Sequence, residues 1–189
     1  MRGRKLAYVP AAATPGGGPP RTRPMKDRVR ETLFDLLGPT VKGATAIDLF
    51  AGTGALGFEA LSRGAARVVF CERHFPTADA LRRSAADLGV ADRVEVRPGD
   101  ALAWARRLPP LPGDAPWVVF ISPPWEFFQT RVDDLLALLA VLRGAAPPAS
   151  TFIVEADTAF DPARLPDAAA WQSRGVAPAV LHILPGLLS

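Results

Sequence analysis

Asp48-Leu49-Phe50-Ala51-Gly52-Thr53-Gly54-Ala55-Leu56-Gly57 is the most informative stretch of this chain. The residues before it, 44–47, form a short apolar run of the length of one buried strand. Residues 58–63 after it are good helix formers, and Gly64 supplies a stop. The glycines therefore occupy a strand-to-helix turn. Gly52 and Gly54 carry no side chain to hold a ligand off the backbone, and the helix start aims free N–H groups at whatever lies above it. A G-x-G-x-x-G pattern alone equally fits a tight turn without a ligand. The next strand separates the two readings. Residues 68–71 are apolar and are followed at once by Glu72, 18 residues beyond Gly54. A carboxylate near that offset is where a nucleotide ribose is gripped through its hydroxyls. Strand, Gly turn, helix, strand and acid together make one nucleoside-binding half.

The identity of the nucleoside follows from Asp48. It ends the first strand, directly ahead of the turn, where it would repel a pyrophosphate but suits an amino group. S-adenosylmethionine has no phosphate and carries an ammonium and a sulfonium. The run D-L-F-A-G-T-G resembles the first motif of Rossmann-like methyltransferases.

Composition sets the outer bounds. A chain of 189 residues fits one domain with a full core, and 49% hydrophobic residues make it globular. No apolar run reaches the ~20 residues of a membrane helix. The N-terminus is charged with no apolar segment behind it, so no secretory signal is expected. The single cysteine, Cys71, excludes an internal disulfide and falls in a predicted buried strand, where a packed thiol is expected rather than a nucleophile. His74 and His182 are isolated from each other, and no metal site is expected.

Charge is concentrated at one end. Residues 1–30 contain eight basic residues (Arg2, Arg4, Lys5, Arg21, Arg23, Lys26, Arg28, Arg30) and one acid, Asp27. The remaining 159 residues carry 14 basic and 18 acidic groups. A basic end suits contact with nucleic acid phosphates, although it also fits a merely solvated tail. Residues 10–20 are rich in Ala, Gly and Pro and read as a flexible linker. The division expected is a basic, flexible arm over 1–24 and a catalytic domain over 25–189. That domain opens with an amphipathic helix at 25–37, where Val29, Leu33, Leu36 and Leu37 recur at helical spacing. Beyond the Gly turn, helices are predicted at 75–88, 101–108 and 132–142. Strands are predicted at 93–97, 117–121 and 151–155, with two final strands at 169–173 and 179–184. This βα alternation predicts a doubly wound, mostly parallel sheet in a three-layer sandwich, a Rossmann-like methyltransferase fold. Asp100, at the end of the third strand, can cap the helix after it and can also contact an adenine amino group.

The strand at 117–121 delivers Ser122-Pro123-Pro124-Trp125 to the same sheet edge as the Gly turn. Two prolines make a stiff loop without donors, and an aromatic follows that can stack on a base. Methyltransferases acting on exocyclic amino groups carry a motif of this form, Asn or Asp, then Pro-Pro, then an aromatic. There the first side chain and a prolyl carbonyl accept hydrogen bonds from the amine. The nitrogen lone pair then faces the methyl group, so that catalysis is mostly positioning.

The chain resembles the RsmD-type family, 16S ribosomal RNA guanine-N2 methyltransferases. The resemblance runs through T-R-P-M-K-D-R-V-R-E-T-L-F at 22–34 and L-F-A-G-T-G-A-L-G-F-E-A-L-S-R-G-A at 49–65, then Gly99-Asp100-Ala101-Leu102 and residues 121–125. It covers roughly residues 2–155, and the N-terminal helix is its most specific part. It implies that Asp48, Phe50, Ala51, Gly52 and Gly54 hold the methionyl end of S-adenosylmethionine, with Glu72 on the ribose and Asp100 and Ala101 at the adenine. Ser122, Pro123, Pro124 and Trp125 would hold the target guanine. Arg2, Arg4, Lys5, Arg21, Arg23, Lys26, Arg28 and Arg30 would grip RNA. It further implies a cytoplasmic monomer acting on ribosomal RNA or the small ribosomal subunit particle, away from membranes. Three departures accompany the match. Ser122 stands where the family has Asp or Asn, most of the family's opening strand is missing ahead of Arg2, and the match weakens from Trp171 on. Two other readings stay open: a cofactor- and RNA-binding homologue with weak or lost catalysis, and amino methylation of DNA or another RNA base.

Overall fold

The computed structural model describes residues 23–186, with side chains from Asp27 onward. Helix α1 (Arg23–Leu37) opens it, starting two residues before the expected 25. Strand β1 (Thr45–Asp48) leads through the Gly turn into α2 (Ala55–Ser62), and β2 (Arg67–Glu72) into α3 (Phe75–Asp87). Strands β3 (Val94–Pro98) and β4 (Trp117–Ile121) follow. Next come the short helix α4 (Phe127–Thr130), α5 (Val132–Ala145) and β5 (Thr151–Asp157). Strands β6 (Gln172–Val176) and β7 (Ala179–Leu184) close the fold.

All seven strands form one sheet in the order β3-β2-β1-β4-β5-β7-β6. The first five are parallel, while β7 runs antiparallel to both β5 and β6. The expected doubly wound, mostly parallel sheet is what the chain forms. Successive strand residues point to opposite faces, and here both faces are covered. Ala46, Val68, Phe70, Val118 and Phe120 pack under α1, α2 and α3. Their neighbours Ile47, Val69, Cys71, Val119 and Ile121 pack under α5 and the loop after β3. Burial on both sides is why these strands read as unbroken apolar runs rather than alternating ones. The apolar stripe expected of α1 docks in part, with Phe34 buried in place of the expected Leu36. Val29, Leu33, Phe34 and Leu37 are buried, while Leu36 stays 48% exposed.

Two local expectations need correction, and one element was not foreseen. No α-helix forms over 101–108. The segment makes only a 3₁₀ turn, Ala101–Ala105, capped by the Asp100 carboxylate on the Leu102 N–H at 3.0 Å. Pro109 and Pro110 follow, and a proline pushes the residue before it out of helical geometry. The expected strand at 169–173 is displaced to Gln172–Val176, because Ala168–Ala170 forms another 3₁₀ turn. Helix α4 had no sequence signal of its own. It is a single turn held by the buried rings of Phe127 and Phe128.

Gly57, the third glycine of the motif, sets how closely α2 approaches the sheet. A Cβ there would lie 2.2 Å from the Phe70 ring and 2.7 Å from Val68. Phe70 is fully buried and cannot retreat. Gly57→Ala is therefore expected to cost about 1–3 kcal/mol through overpacking. That lowers Tm by roughly 2–4 °C per kcal/mol in a chain of this size. Thermal unfolding checks it, and an unchanged Tm would mean that α2 shifts without strain.

Candidate active site

The carboxyl ends of β1, β2, β4 and β5 open into one cleft of about 740 Å³, a volume that suits a cofactor with part of a substrate. Its floor is the Gly turn. Gly52 sits at φ +50° with open space where a Cβ would stand, so a ligand can approach the backbone there. Gly54 is also left-handed, at φ +78°, and its N–H donates to the Ala51 carbonyl at 2.7 Å. It does not line the cleft. A Cβ on Gly54 would strike Leu81 at 2.5 Å and Phe58 at 2.7 Å, so this glycine shapes the turn and the start of α2.

Asp48 ends β1 at the bottom of the cleft and is only 2% exposed. One of its oxygens accepts from the Gly57 N–H at 3.3 Å. Burial pushes its carboxyl up to about 7, although the N–H groups of Gly57 and Phe50 pull it back in part. No ion pair among the described residues involves Asp48. A buried carboxylate without a cation partner could hold a cationic group. Glu72, at the end of β2, accepts from the Gly52 N–H through Oε2 and from the His74 N–H through Oε1, each at 2.8 Å. Glu72 lines the cleft, and its carboxylate ties the Gly turn to β2.

Asp100 caps the 3₁₀ turn with Oδ1, and its Oδ2 lies 3.5 Å from Arg131 of α5's leading edge. Arg131 and Arg73 also stand over the Phe127 ring, their guanidinium carbons 5.5 and 6.0 Å from its centroid. Phe50 meets the same ring edge-on at 6.3 Å. Ala101 completes this end of the cleft. Cys71 also borders it, but burial, with Asp100 and Glu72 adding, pushes its thiol up to about 12. It is a packed thiol and not a nucleophile at neutral pH.

Ser122, Pro123, Pro124 and Trp125 line the same cleft as the Gly turn, at the end of the neighbouring strand β4. Pro123 is buried, Pro124 exposed, and Trp125 half-buried between the two core clusters. The Ser122 hydroxyl donates to Glu155 Oε2 at 2.9 Å. Glu155 is absent from the sequence-based site, although its signal was legible. Like Glu72, it is an acid at the carboxyl end of an apolar strand. Parallel pairing matches Ile121 with Val154, so Ser122 and Glu155 emerge side by side. Other lining residues that sequence reasoning missed include Arg73, Phe127, Pro178 and Ala179.

Of the basic residues expected to grip RNA, Arg2, Arg4, Lys5 and Arg21 lie outside the described residues. Arg23 and Lys26 fall on α1. Arg28 is exposed, and Arg30 reaches the rim of the cleft while pairing with Asp27 at 2.9 Å. Among the described residues, no cluster of His, Cys, Asp and Glu could hold a metal ion, and no helix is long and apolar enough to cross a membrane.

The family described as Conserved hypothetical protein 95 matches residues 1–174. The chain belongs to this family. Similar to it is Ribosomal RNA small subunit methyltransferase D of Haemophilus influenzae, 38% identical over 155 residues, which are 80% of this chain and 73% of the relative. The solved structure of yhhF from Escherichia coli superposes with a TM-score of 0.70 at 28% identity, covering 86% of this chain and 88% of that one. An RNA methyltransferase from Salinibacter ruber, solved with S-adenosyl-L-homocysteine, shares the fold with a TM-score of 0.59 at 19% identity. It covers 92% of this chain and 95% of that one. The family member described here is a methyltransferase. The chemistry of the cleft suits S-adenosylmethionine, with the open backbone at Gly52, a buried carboxylate at Asp48 that forms no ion pair among the described residues, and the Glu72 carboxylate in its lining.

Proposed function

We propose that this protein methylates the exocyclic N2 amino group of a guanine in small-subunit (16S) ribosomal RNA. The observation that carries the reading is that Ser122-Pro123-Pro124-Trp125 and the Gly turn, which follow the paired strands β4 and β1, line one cleft. An amine acceptor and a stacking ring thus share the cleft with the methyl donor's seat. The substrate class is supported by the relative named as a small-subunit ribosomal RNA methyltransferase.

In this reading Asp48 pairs with the donor's ammonium, Glu72 accepts from the ribose hydroxyls, and Asp100 and Ala101 meet the adenine beside Phe50 and Phe127. The donor supplies an electrophilic methyl on a sulfonium. The protein supplies position. The Trp125 ring stacks on the guanine, and Ser122 Oγ and the Pro123 carbonyl accept from the N2 amine. The amine lone pair is then aimed across the cleft, which lowers the barrier through orientation. Arg30 at the rim, with the basic residues of 1–24, holds RNA phosphates. The enzyme acts as a cytoplasmic monomer, on RNA or on the small-subunit particle. Mapping N2-methylguanine in ribosomal RNA from cells with and without the gene tests the reading, and identical maps would overturn it.

The arm has its own test. Deleting residues 1–21 removes Arg2, Arg4, Lys5 and Arg21. RNA affinity is expected to fall, and the slope of log affinity against log salt to flatten by roughly 0.7–0.9 per lost phosphate contact. Calorimetric affinity for S-adenosylhomocysteine stays unchanged. An unaltered salt slope would show the arm to be only a solvated end.

A further inference from the structure

We infer that Glu155 is the carboxylate of the amine pocket, acting through Ser122 in place of an acid at position 122 itself. This rests on the proposed amino methylation and concerns how this chain carries it out with a serine in its proline loop.

A hydroxyl offers lone pairs to an amine only if its own proton points elsewhere. Here it does. Ser122 Oγ donates to Glu155 Oε2 at 2.9 Å, which turns the serine lone pairs away from Glu155. Both residues line the same cleft as the Gly turn. The bond is set by the backbone and not by a chance rotamer, since the pairing of Ile121 with Val154 places the next residues of β4 and β5 abreast. Among the described residues, Ser122 is the sole hydrogen-bond partner of the Glu155 carboxylate, so its remaining lone pairs are free for the substrate.

The arrangement also gives the amine's proton a path. Once methylated, the nitrogen carries two hydrogens and a positive charge. One N–H bond breaks as its proton passes to Ser122 Oγ. The proton already on Ser122 passes to Glu155 Oε2. The nitrogen ends neutral, serine is regenerated, and the carboxylate becomes a carboxylic acid that later gives its proton to water. General-base assistance of this kind contributes about 100-fold or more. Glu155 is thus a positioning residue for Ser122 and the terminal proton acceptor.

The test is single-turnover methyl transfer to small-subunit particles by wild type, Glu155→Gln, and the double variant Ser122→Asp with Glu155→Gln. Affinities for S-adenosylhomocysteine and for the particle are measured alongside. Glutamine keeps the shape and can still accept from Ser122, but it cannot take the proton. Glu155→Gln is expected to slow transfer about 100-fold, with both affinities within about twofold of wild type. Adding Ser122→Asp returns a carboxylate to the pocket and is expected to restore most of the rate. Three outcomes overturn the inference: a Glu155→Gln rate equal to wild type, a slow Glu155→Gln that has also lost affinity for S-adenosylhomocysteine, or no recovery in the double variant. A wild type that binds S-adenosylhomocysteine and transfers nothing overturns the proposed function itself.

Discussion

Asp48→Asn is expected to weaken binding of S-adenosylhomocysteine by about 10- to 150-fold at pH 8, the worth of a charge-assisted hydrogen bond of roughly 1.5–3 kcal/mol. No ion pair among the described residues involves this buried carboxylate, so the ligand's ammonium would be its cation. The effect has a pH signature. Because burial raises the Asp48 carboxyl to about 7, the free protein holds a proton there below neutrality. That proton must leave before the ammonium can pair. Wild-type affinity is therefore expected to rise by about tenfold per pH unit below 7 and to level off above it, with proton release on binding in the lower range. Stability of the free protein moves the opposite way. The unfolded carboxyl titrates near ~3.9, well below the folded one. Between those values the folded state binds the extra proton, so stability falls as pH rises from about 4 to about 7 and is level beyond. Asp48→Asn removes both trends. Calorimetry in buffers of different ionisation enthalpy, with Tm against pH for both proteins, checks this. An affinity in wild type that ignores pH would take Asp48 out of the ammonium site.

Glu72→Ala is expected to reduce affinity for S-adenosylhomocysteine by a similar factor, about 10- to 150-fold, through loss of the ribose acceptors. It also releases the Gly52 and His74 N–H groups, each of which donates to this carboxylate at 2.8 Å, so the Gly turn loses its tie to β2. Adenosine separates the two residues. It has the ribose and no ammonium. Adenosine binding is therefore expected to weaken in Glu72→Ala and to be unchanged in Asp48→Asn. Equal adenosine affinity in Glu72→Ala and wild type would remove Glu72 from the ribose.

The cofactor half of the cleft was legible in the sequence because its parts are local. Asp48, the glycines and Glu72 lie within a single βαβ unit of fewer than 30 residues, where turn chemistry and strand length dictate position. Apolar runs identified β1, β2, β4 and β5 for the same reason, since strands covered on both faces need no partner to be recognised. The C-terminal pair was less legible. The outer strand β6 is almost wholly exposed, so it carries no apolar pattern to mark its ends. Helix 101–108 failed because its propensity competes with the prolines behind it and with an Asp100 cap that closes a tighter turn.

The sequence by itself determined the βα order, the Gly turn with its two acids, the proline loop with a serine at its head, and the basic end. Only the tertiary structure decided what that serine does. Ser122 and Glu155 are 33 residues apart, and no local pattern links them. They meet because β5 pairs in parallel beside β4, a register set by burial of Phe152, Ile153 and Val154 under helices from both faces. Packing in the sheet also leaves Asp48 only 2% exposed and raises its carboxyl to about 7. Turns and strand lengths follow from neighbours along the chain, whereas hydrogen-bond partners and desolvation follow from neighbours in space.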